Sequence, residues 1–328
     1  MTFGSAPTFS LGIEEELFIV DAETLDAAPL FEQLVPEPGP RFKPELFACI
    51  VETTTPVCRD SREALDAMRR LRSEVAGRAA AAGATIVASG THPLARGTAQ
   101  PLVSLPRYDR MRKELGDVVF TQLVCGLHVH VAMPDADTAL RAFEGIVPWL
   151  PVLLALSANS PYAEGEVTGL RSTRAERLLL MPTGGTPPLL RDWQAWEDAT
   201  EGDETRRHWD AWPRPEHGTL EVRVMDQQTD VQRSAGLAAI VQALVATVAN
   251  SEPEPYDRAL YAQLRSDAAR LPPDARELLA LGGLIEQAAQ DLGSGELVRQ
   301  VFIGRPEAER QLELGPRGVL PFLLASPV

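Results

Sequence analysis

The sequence predicts an α+β fold rather than a doubly wound parallel sheet. Strand-like segments are scattered among long helical ones, and at least three of these strands carry polar residues on one face. Strands buried in a parallel sheet would read as continuous apolar runs, because helices cover both of their faces. A chain of 328 residues is long enough for one large core and allows two domains on length alone.

The first part of the chain is predicted to contain two strands around one long helix. A strand covers residues 11–20 and leads into a proline-rich connection. Asp60 with Glu63 three residues later forms a capping pattern that starts a helix, and Gly83 is typical of a helix end. Residues 84–88 then read as a short buried strand.

The rest of the chain is predicted to hold two further strands and several helices. In order, we expect an alternating strand at 125–133, a kinked apolar helix at about 138–158, a loop rich in Gly, Ser and Thr, a polar insert around 193–207, an alternating strand at 218–225, and helices at about 234–250, 255–270 and 273–290.

Composition and charge restrict the kind of partner. A net charge of -15 argues against nucleic acid or an anionic membrane surface, since both would be repelled. It leaves a nucleotide substrate possible, because a bound divalent cation can invert the local field. Three cysteines with no CxxC pair read as reduced thiols, and the first residues lack the features of a signal peptide. The most apolar run, about 146–158, is shorter than the roughly 20 residues that span a bilayer. We therefore expect a cytoplasmic protein.

Three strands share one design, in which an apolar face lies opposite a face of ionisable side chains. The ionisable faces carry Glu14 and Glu16 on the first strand, His128 and His130 on the second, and Glu221 and Arg223 on the third. Each strand turns valine, leucine or isoleucine the other way. A single such strand is usually a solvated edge, and the joint occurrence is what indicates a functional site.

These side chains suit a particular chemistry. Converging carboxylates repel one another unless cations lie among them, and carboxylates with an imidazole suit Mg²⁺ or Mn²⁺. An arginine beside such ions typically binds phosphate oxygens. The pattern predicts a phosphoryl-transfer site for a nucleoside triphosphate, although the chain has no glycine-rich P-loop or GxGxxG motif.

Six motifs then identify a family resemblance over about residues 9–250. In order they are GIEEELFIVD, PELFACIVETTTPVC, GTHP, CGLHVHVAMPD, LSANSPYAEGEVTGLRSTR and GTLEVRVMD. The order is similar to that of the glutamate–cysteine ligase type 2 family, the carboxylate–amine ligases, which resemble glutamine synthetase. The resemblance implies a glutamine synthetase-like α+β fold with a curved, mainly antiparallel sheet forming a funnel and helices on its convex side. It implies one catalytic domain over 1–328, with a helical C-terminal part from about 252.

The resemblance also implies the reaction and the residues that carry it. A carboxylate is phosphorylated by ATP, with Mg²⁺ or Mn²⁺, before an amine attacks the acyl phosphate. The implied metal ligands are Glu14, Glu16, Glu45, Glu52, His128 and Glu221. His130 and Arg223 are implied to contact ATP, Arg223 and Arg174 to be catalytic, and Asn159, Ser172 and Arg174 to hold the substrate carboxylate or the transferred phosphate. Glu45 and Glu52 are seven residues apart, so we expect a bulge or a helical turn between them.

One departure from the family pattern concerns the segment Trp209-Asp-Ala-Trp-Pro213. The family usually reads Trp-Asp-x-Arg-Pro there, so Trp212 stands where an arginine is expected. An indole has one donor and cannot replace a guanidinium in an anion pocket, whereas the neighbouring Arg214 can. The departure bears on the substrate more than on the ATP chemistry.

The leading hypothesis is an ATP-dependent ligase that joins the γ-carboxyl of glutamate to cysteine and forms γ-glutamylcysteine. Its partners are small-molecule amino acids and amines, with no nucleic acid and no membrane, and a homodimer is left open. Alternatives are a ligase for another amine and a catalytically silent homologue that binds ATP and metal. A metal-dependent hydrolase would need more histidine ligands than His128 and His130, and catalysis by Cys125 is disfavoured because a buried thiol is usually packing.

Overall fold

The structure, a computed structural model, describes residues 1–202, 207–253 and 255–324. The strands are β1 Leu11–Asp21, β2 Phe42–Pro44, β3 Ile50–Thr54, β4 Ala84–Val87, β5 Gly126–Ala132, β6 Tyr162–Ala163, β7 Glu166–Val167, β8 Ala211–Arg214 and β9 Thr219–Asp226. The central sheet is open and antiparallel, with the strand order β2-β3-β1-β5-β9-β8 and with β4 also paired with β1. Strands β6 and β7 form a separate hairpin.

Helices surround the sheet and form the C-terminal part of the chain. They are α1 Phe31–Leu34, α2 Ser61–Ala81, α3 Pro106–Leu115, α4 Ala136–Ile146, α5 Leu150–Ser157, α6 Thr173–Leu178, α7 Trp193–Ala199, α8 Val231–Val248, α9 Arg258–Arg270, α10 Ala275–Asp291, α11 Gly295–Ile303 and α12 Glu307–Leu324, with a non-helical Gly315 inside the last. Short 3₁₀ turns occur at Gly97–Ala99, Gly116–Gln122 and Val147–Trp149.

The apolar face of the sheet forms the main core with α2, α4, α5 and α8. Ile13 of β1, Val129 of β5 and Val222 of β9 are all buried in one cluster, which also contains Met68 of α2 and Leu237 of α8. Alternation along each strand therefore turns one face to these helices and leaves the opposite face for the charged side chains. This arrangement confirms the α+β prediction.

A second core covers the end of β1 on the charged side of the sheet. Beyond Glu16 the same face continues with Phe18 and Val20, which are buried with Tyr108 of α3 and Leu320 of α12. The charged face is thus limited to the first half of β1, because its second half is buried on both faces.

The predicted strands and helices are present, together with helices that the sequence did not predict. The apolar helix expected at about 138–158 is divided into α4 and α5 by the turn at Val147–Trp149, where Pro148 interrupts the hydrogen bonding. Helices α11 and α12 follow the one expected to close the chain. Of the polar insert expected around 193–207, residues 203–206 lie outside the described residues.

Two helical segments, Ala136–Ser157 and Val231–Val248, are long and apolar enough to cross a membrane. In their most apolar windows 72% and 78% of the residues are buried inside the protein. Both segments contribute to the main core, so their apolar character is explained by packing against the sheet.

Candidate active site

The charged faces of β1, β2, β3, β5, β8 and β9 meet around a cavity of about 290 Å³. Antiparallel register sets the neighbours, because residues opposite each other on adjacent strands share a face. The relevant pairs are Lys43 with Glu52, Glu52 with Glu16, Glu14 with His128, His130 with Glu221, and Glu221 with Trp212. Others around the cavity are Glu45, Arg107, Tyr108, Arg207, His208, Arg214, His217 and Arg223.

Two groups of ligand atoms in this pocket could each hold a metal ion. The first triad is Glu14, His128 and Glu221, and the second triad is Glu16, Glu45 and Glu52; within each, one ligand atom per residue lies within 4.8 Å of the others. Ligands about 2.1 Å from Mg²⁺ are at most about 4.2 Å apart, so both triads could close on an ion with small adjustments. Carboxylate oxygens with at most one imidazole fit Mg²⁺ or Mn²⁺. All six predicted metal ligands therefore come together.

The turn between β2 and β3 explains how Glu45 and Glu52 meet despite their spacing of seven. Glu45 directly follows β2, and Glu52 is the third residue of β3, which runs antiparallel to β2. A chain reversal therefore takes the place of the expected bulge or helical turn.

The carboxyl groups of the second triad share a raised pKa. Burial raises the pKa of Glu16 to about 7, and the charge of Glu52 adds to this effect against that of Arg174. Burial with the charge of Glu16 raises the pKa of Glu45 to about 7. Burial and the charges of Glu14 and Glu45 also raise the pKa of Glu52 to about 7, although the charge of Lys43 acts in the opposite direction. A triad of this kind holds protons near neutral pH and would release them to a divalent cation.

The two histidines differ in protonation although they lie two residues apart. Burial and the charge of Arg223 lower the pKa of His128. Burial would also lower that of His130, but the neighbouring carboxylates of Glu14 and Glu221 raise it overall. His128 Nδ1 lies 3.5 Å and His130 Nε2 lies 3.7 Å from the same Glu14 oxygen. The surroundings thus favour the neutral imidazole at His128 and the charged imidazolium at His130.

Guanidinium groups converge on Glu221. Arg214 Nη1 donates to one oxygen at 2.7 Å and Arg223 Nη1 to the other at 3.2 Å. Despite burial, the charges of Arg223, His130 and Arg214 lower the pKa of Glu221 to about 2. A carboxylate has about four lone-pair positions, so these bonds leave sites for a metal ion.

Trp212 lies on the floor of the pocket beneath Arg214. The Arg214 guanidinium is 4.6 Å from the centre of the indole ring, and Arg214 shares the pocket face because it is two residues further along β8. Trp212 is 3% exposed and its position opposite Glu221 is fixed by register. Arg214 thus presents a guanidinium to the pocket directly beside Trp212.

Arg174 lies behind the pocket, beneath His128. Its Nη2 is 3.5 Å from His128 Nε2 and donates to the Arg223 carbonyl at 3.1 Å. Gly126 makes this approach possible, since a Cβ there would lie 2.2 Å from Arg174 Nη2. In β9, Arg223 and Val224 together lie opposite the single residue His128, which is a β-bulge.

The structure does not bring Asn159 and Ser172 into the pocket. Asn159 donates to the Gln227 carbonyl and accepts from Gln311, and Ser172 donates to Asp226 while capping α6. Both are fully buried. Their substrate-binding role stays a prediction, since in this structure their polar atoms hold the segment that leads into α6, the helix that carries Arg174.

Several pocket residues were not found from the sequence, namely Lys43, Arg107, Tyr108, Arg207, His208 and His217. Lys43 precedes Glu45 by two residues and bonds both Glu14 and Glu52. Only this two-residue spacing could have indicated it. The others come from α3 and from segments outside the strands, whose approach no local pattern predicts.

Solved structures of known proteins share the fold. The glutamate–cysteine ligase of Francisella tularensis in complex with AMP superposes with a TM-score of 0.68 at 14% identity, covering 97% of this chain and 87% of that one. A bifunctional glutathione synthetase from Pasteurella multocida gives 0.61 at 15% identity, covering 96% of this chain and 49% of that one. The predicted α+β fold is confirmed as the fold of glutamate–cysteine ligase.

The glutamate–cysteine ligase of Natronomonas pharaonis is 34% identical to this protein over 96% of this chain and 94% of the relative. The model of glutamate-cysteine ligase family 2 matches residues 10–311. The protein is therefore an ATP-dependent ligase that forms carbon–nitrogen bonds. It belongs to glutamate-cysteine ligase family 2, and the resemblance seen in the sequence is confirmed.

Proposed function

We propose that this enzyme uses ATP, with Mg²⁺ or Mn²⁺, to join the γ-carboxyl group of glutamate to the amino group of cysteine. One observation carries the proposal: strand register places two acidic triads in one pocket beside the guanidinium groups of Arg214 and Arg223. Family membership supports the reaction class.

The triads are proposed to hold divalent ions. Such ions, held by Glu14, His128 and Glu221 and by Glu16, Glu45 and Glu52, would neutralise the ATP phosphates and polarise the γ-phosphoryl group. The lowered pKa of His128 favours the neutral imidazole that a metal needs. The raised pKa of His130 supplies a positive charge for phosphate oxygens.

The arginines are proposed to stabilise charge on the transferred group. Arg223 and Arg214 line the pocket and present fixed donors suited to phosphate oxygens. Arg174 is a positioning residue in this proposal, since it holds the Arg223 carbonyl and lies against His128 from behind. One oxygen of the glutamate γ-carboxylate attacks the γ-phosphorus and ADP leaves. The amine then attacks the acyl carbon, and phosphate leaves with that oxygen as the nitrogen loses a proton.

A screen of amines tests the proposal. The enzyme is incubated with ATP, Mg²⁺, glutamate and one amine at a time, and nucleotides, phosphate and condensed products are measured by mass spectrometry and ion chromatography. Cysteine should give γ-glutamylcysteine with ADP and phosphate in equal amounts. AMP with pyrophosphate would contradict the proposed chemistry, and absence of turnover with every amine would indicate a silent homologue.

A second candidate is a ligase of the same chemistry for a different amine. Trp212 favours it, because an indole in the pocket where the family usually has an arginine changes the shape offered to the substrate. The same screen decides: a product with another amine, and none with cysteine, would establish it.

Three further sequence predictions remain part of the proposal. A single catalytic domain is supported by the C-terminal helices, since buried residues of α10 and α11 belong to the main core. The cytoplasmic location and the homodimer stay predictions, which cell fractionation and light scattering would check.

A further inference from the structure

Lysine is used very sparingly in this chain. Of its 31 basic side chains two are lysine, Lys43 and Lys113, and the rest are arginine. Lys113 is an exposed residue of α3, whereas Lys43 is a partly buried residue of β2 that lines the acidic pocket. A chain that uses arginine almost everywhere thus places one lysine at the centre of its carboxylates.

The Lys43 ammonium connects the two triads. Its Nζ lies 2.9 Å from Glu14 Oε1, in the first triad, and 2.8 Å from Glu52 Oε1, in the second. Register places Lys43 directly opposite Glu52, and Glu52 opposite Glu16. An ammonium is a compact charge with three donors, whereas the planar guanidinium is larger and suits one bidentate partner.

The two oxygens of Glu14 face different neighbours: Oε1 faces Lys43, and Oε2 faces the two histidines. Oε1 accepts from Lys43, and Oε2 lies 3.5 Å from His128 Nδ1. An ion in the first triad can therefore use Oε2 while Lys43 keeps Oε1. Lys43 Nζ is within 3 Å of two carboxylate oxygens, a contact that a protonated ammonium makes as a donor.

The charge of the pocket carboxylates also fits two divalent ions together with the Lys43 ammonium. The pocket holds five carboxylates, those of Glu14, Glu16, Glu45, Glu52 and Glu221. Two divalent ions and one ammonium carry an equal number of positive charges. His130 and the arginines of the pocket then remain for the phosphates of a bound nucleotide; the arginines are Arg107, Arg207, Arg214 and Arg223.

We propose that Lys43 is a resident cation of the active site, which stays between the triads when metal binds and limits the pocket to one divalent ion in each. This inference rests on the proposed function, because it requires that the triads bind metal. Lys43 takes the position that a third divalent ion would otherwise occupy.

The first test counts bound Mn²⁺ without nucleotide, by electron paramagnetic resonance of the free ion. We expect two ions for the unchanged enzyme, three for Lys43→Met and two for the matched control Lys113→Met. Equal counts for the unchanged enzyme and Lys43→Met would overturn the inference. Absence of Mn²⁺ binding in every protein would instead contradict the proposed metal site itself.

The second test uses the unchanged enzyme and does not depend on the variant folding. The two lysines are acetylated with limiting acetic anhydride, and their rates are compared by peptide mass spectrometry. Saturating Mg²⁺ should leave Lys43 protected from acetylation. We expect the acetylation rate of Lys43, relative to that of Lys113, to change by less than about twofold when Mg²⁺ is added. A tenfold rise on adding Mg²⁺ would mean that metal displaces the ammonium, and the inference would be wrong.

Discussion

His128 and His130 show how neighbouring charges give two identical side chains different properties. Both are buried on the charged face of β5, yet Arg223 acts on the first and Glu14 with Glu221 on the second. The pKa of the first imidazole is lowered and that of the second is raised. This difference supports the proposed roles, in which His128 binds metal and His130 lies beside the ATP phosphates.

Substituting each histidine should separate these roles. We expect His128→Ala to raise the Mg²⁺ concentration for half-maximal activity at least about tenfold, because a ligand of the first triad is lost. His130→Ala should leave the metal requirement nearly unchanged and raise the KM for ATP about tenfold or more, since a charged hydrogen bond is worth roughly 1.5–3 kcal/mol. Initial rates over a grid of Mg²⁺ and ATP concentrations measure both. Variants that melt early yet keep normal metal and ATP dependence would make both histidines structural.

The second triad predicts a pH-dependent effect of metal on stability. The fold raises the pKa values of Glu16, Glu45 and Glu52 from 4.5 to about 7. The metal-free fold therefore loses stability as the pH rises from about 4.5 to about 7, because the folded state holds these protons more tightly than the unfolded chain does. Mg²⁺ replaces the bound protons and offsets this loss. We therefore expect saturating Mg²⁺ to raise the melting temperature more at pH 8 than at pH 6, by at least about 2 °C. Melting curves with Mg²⁺ or EDTA at both pH values provide the measurement, and equal shifts would contradict it.

Among the secondary-structure elements, β1 is held in place by a buried ion pair that no sequence pattern indicated. Glu15 lies between Glu14 and Glu16 but points to the apolar side, where its oxygens accept from Arg72 of α2 at 2.6 and 3.0 Å. Arg72 also donates to the carbonyls of Gln228 and Thr229, which follow β9. One guanidinium thus joins β1, α2 and the β9–α8 connection, and fixes the strand that carries two proposed metal ligands.

Removing that guanidinium should cost much of the stability. We expect Arg72→Met to lower the free energy of unfolding by about 3–5 kcal/mol, because it leaves the Glu15 carboxylate buried without its cation. Arg69→Met is the matched control on the same helix. Its side chain is 42% exposed and lies 3.9 Å from Asp66, so a change within about 0.5 kcal/mol is expected. Urea unfolding followed by circular dichroism compares them, and equal losses for both would contradict the account.

Period-two alternation predicted the long strands because one face of each is apolar and the other charged. The same reasoning could not predict β8, because its four residues, Ala-Trp-Pro-Arg, show no alternation of apolar and polar side chains. Helix α12 was missed because Gly315 and Pro316 interrupt its periodicity, and α11 because it has 9 residues and begins at a glycine. Glu15 was missed because a run of three glutamates looks like a solvated edge, and its partner is 57 residues away.

For the whole molecule, motif order was enough to predict the family and the fold. It also indicated six ligands that meet in two triads, although their separation in sequence extends from Glu14 to Glu221. Motif membership could not distinguish residues that line the pocket from residues that support it. Asn159 and Ser172 belong to the second kind, and Lys43 to the first, because tertiary register rather than local sequence decides which polar atoms stay accessible.

Transfer of oxygen from the carboxylate to phosphate tests most directly whether the enzyme activates a carboxylate by phosphorylation in this pocket. Glutamate labelled with ¹⁸O in its γ-carboxyl group is incubated with cysteine, ATP, Mg²⁺ and the enzyme, and the released phosphate is analysed by mass spectrometry. We expect one ¹⁸O in each phosphate, because the carboxylate oxygen that attacks the γ-phosphorus leaves with it. Amide formation with ¹⁸O in AMP, or with unlabelled phosphate, would contradict the proposed acyl-phosphate chemistry.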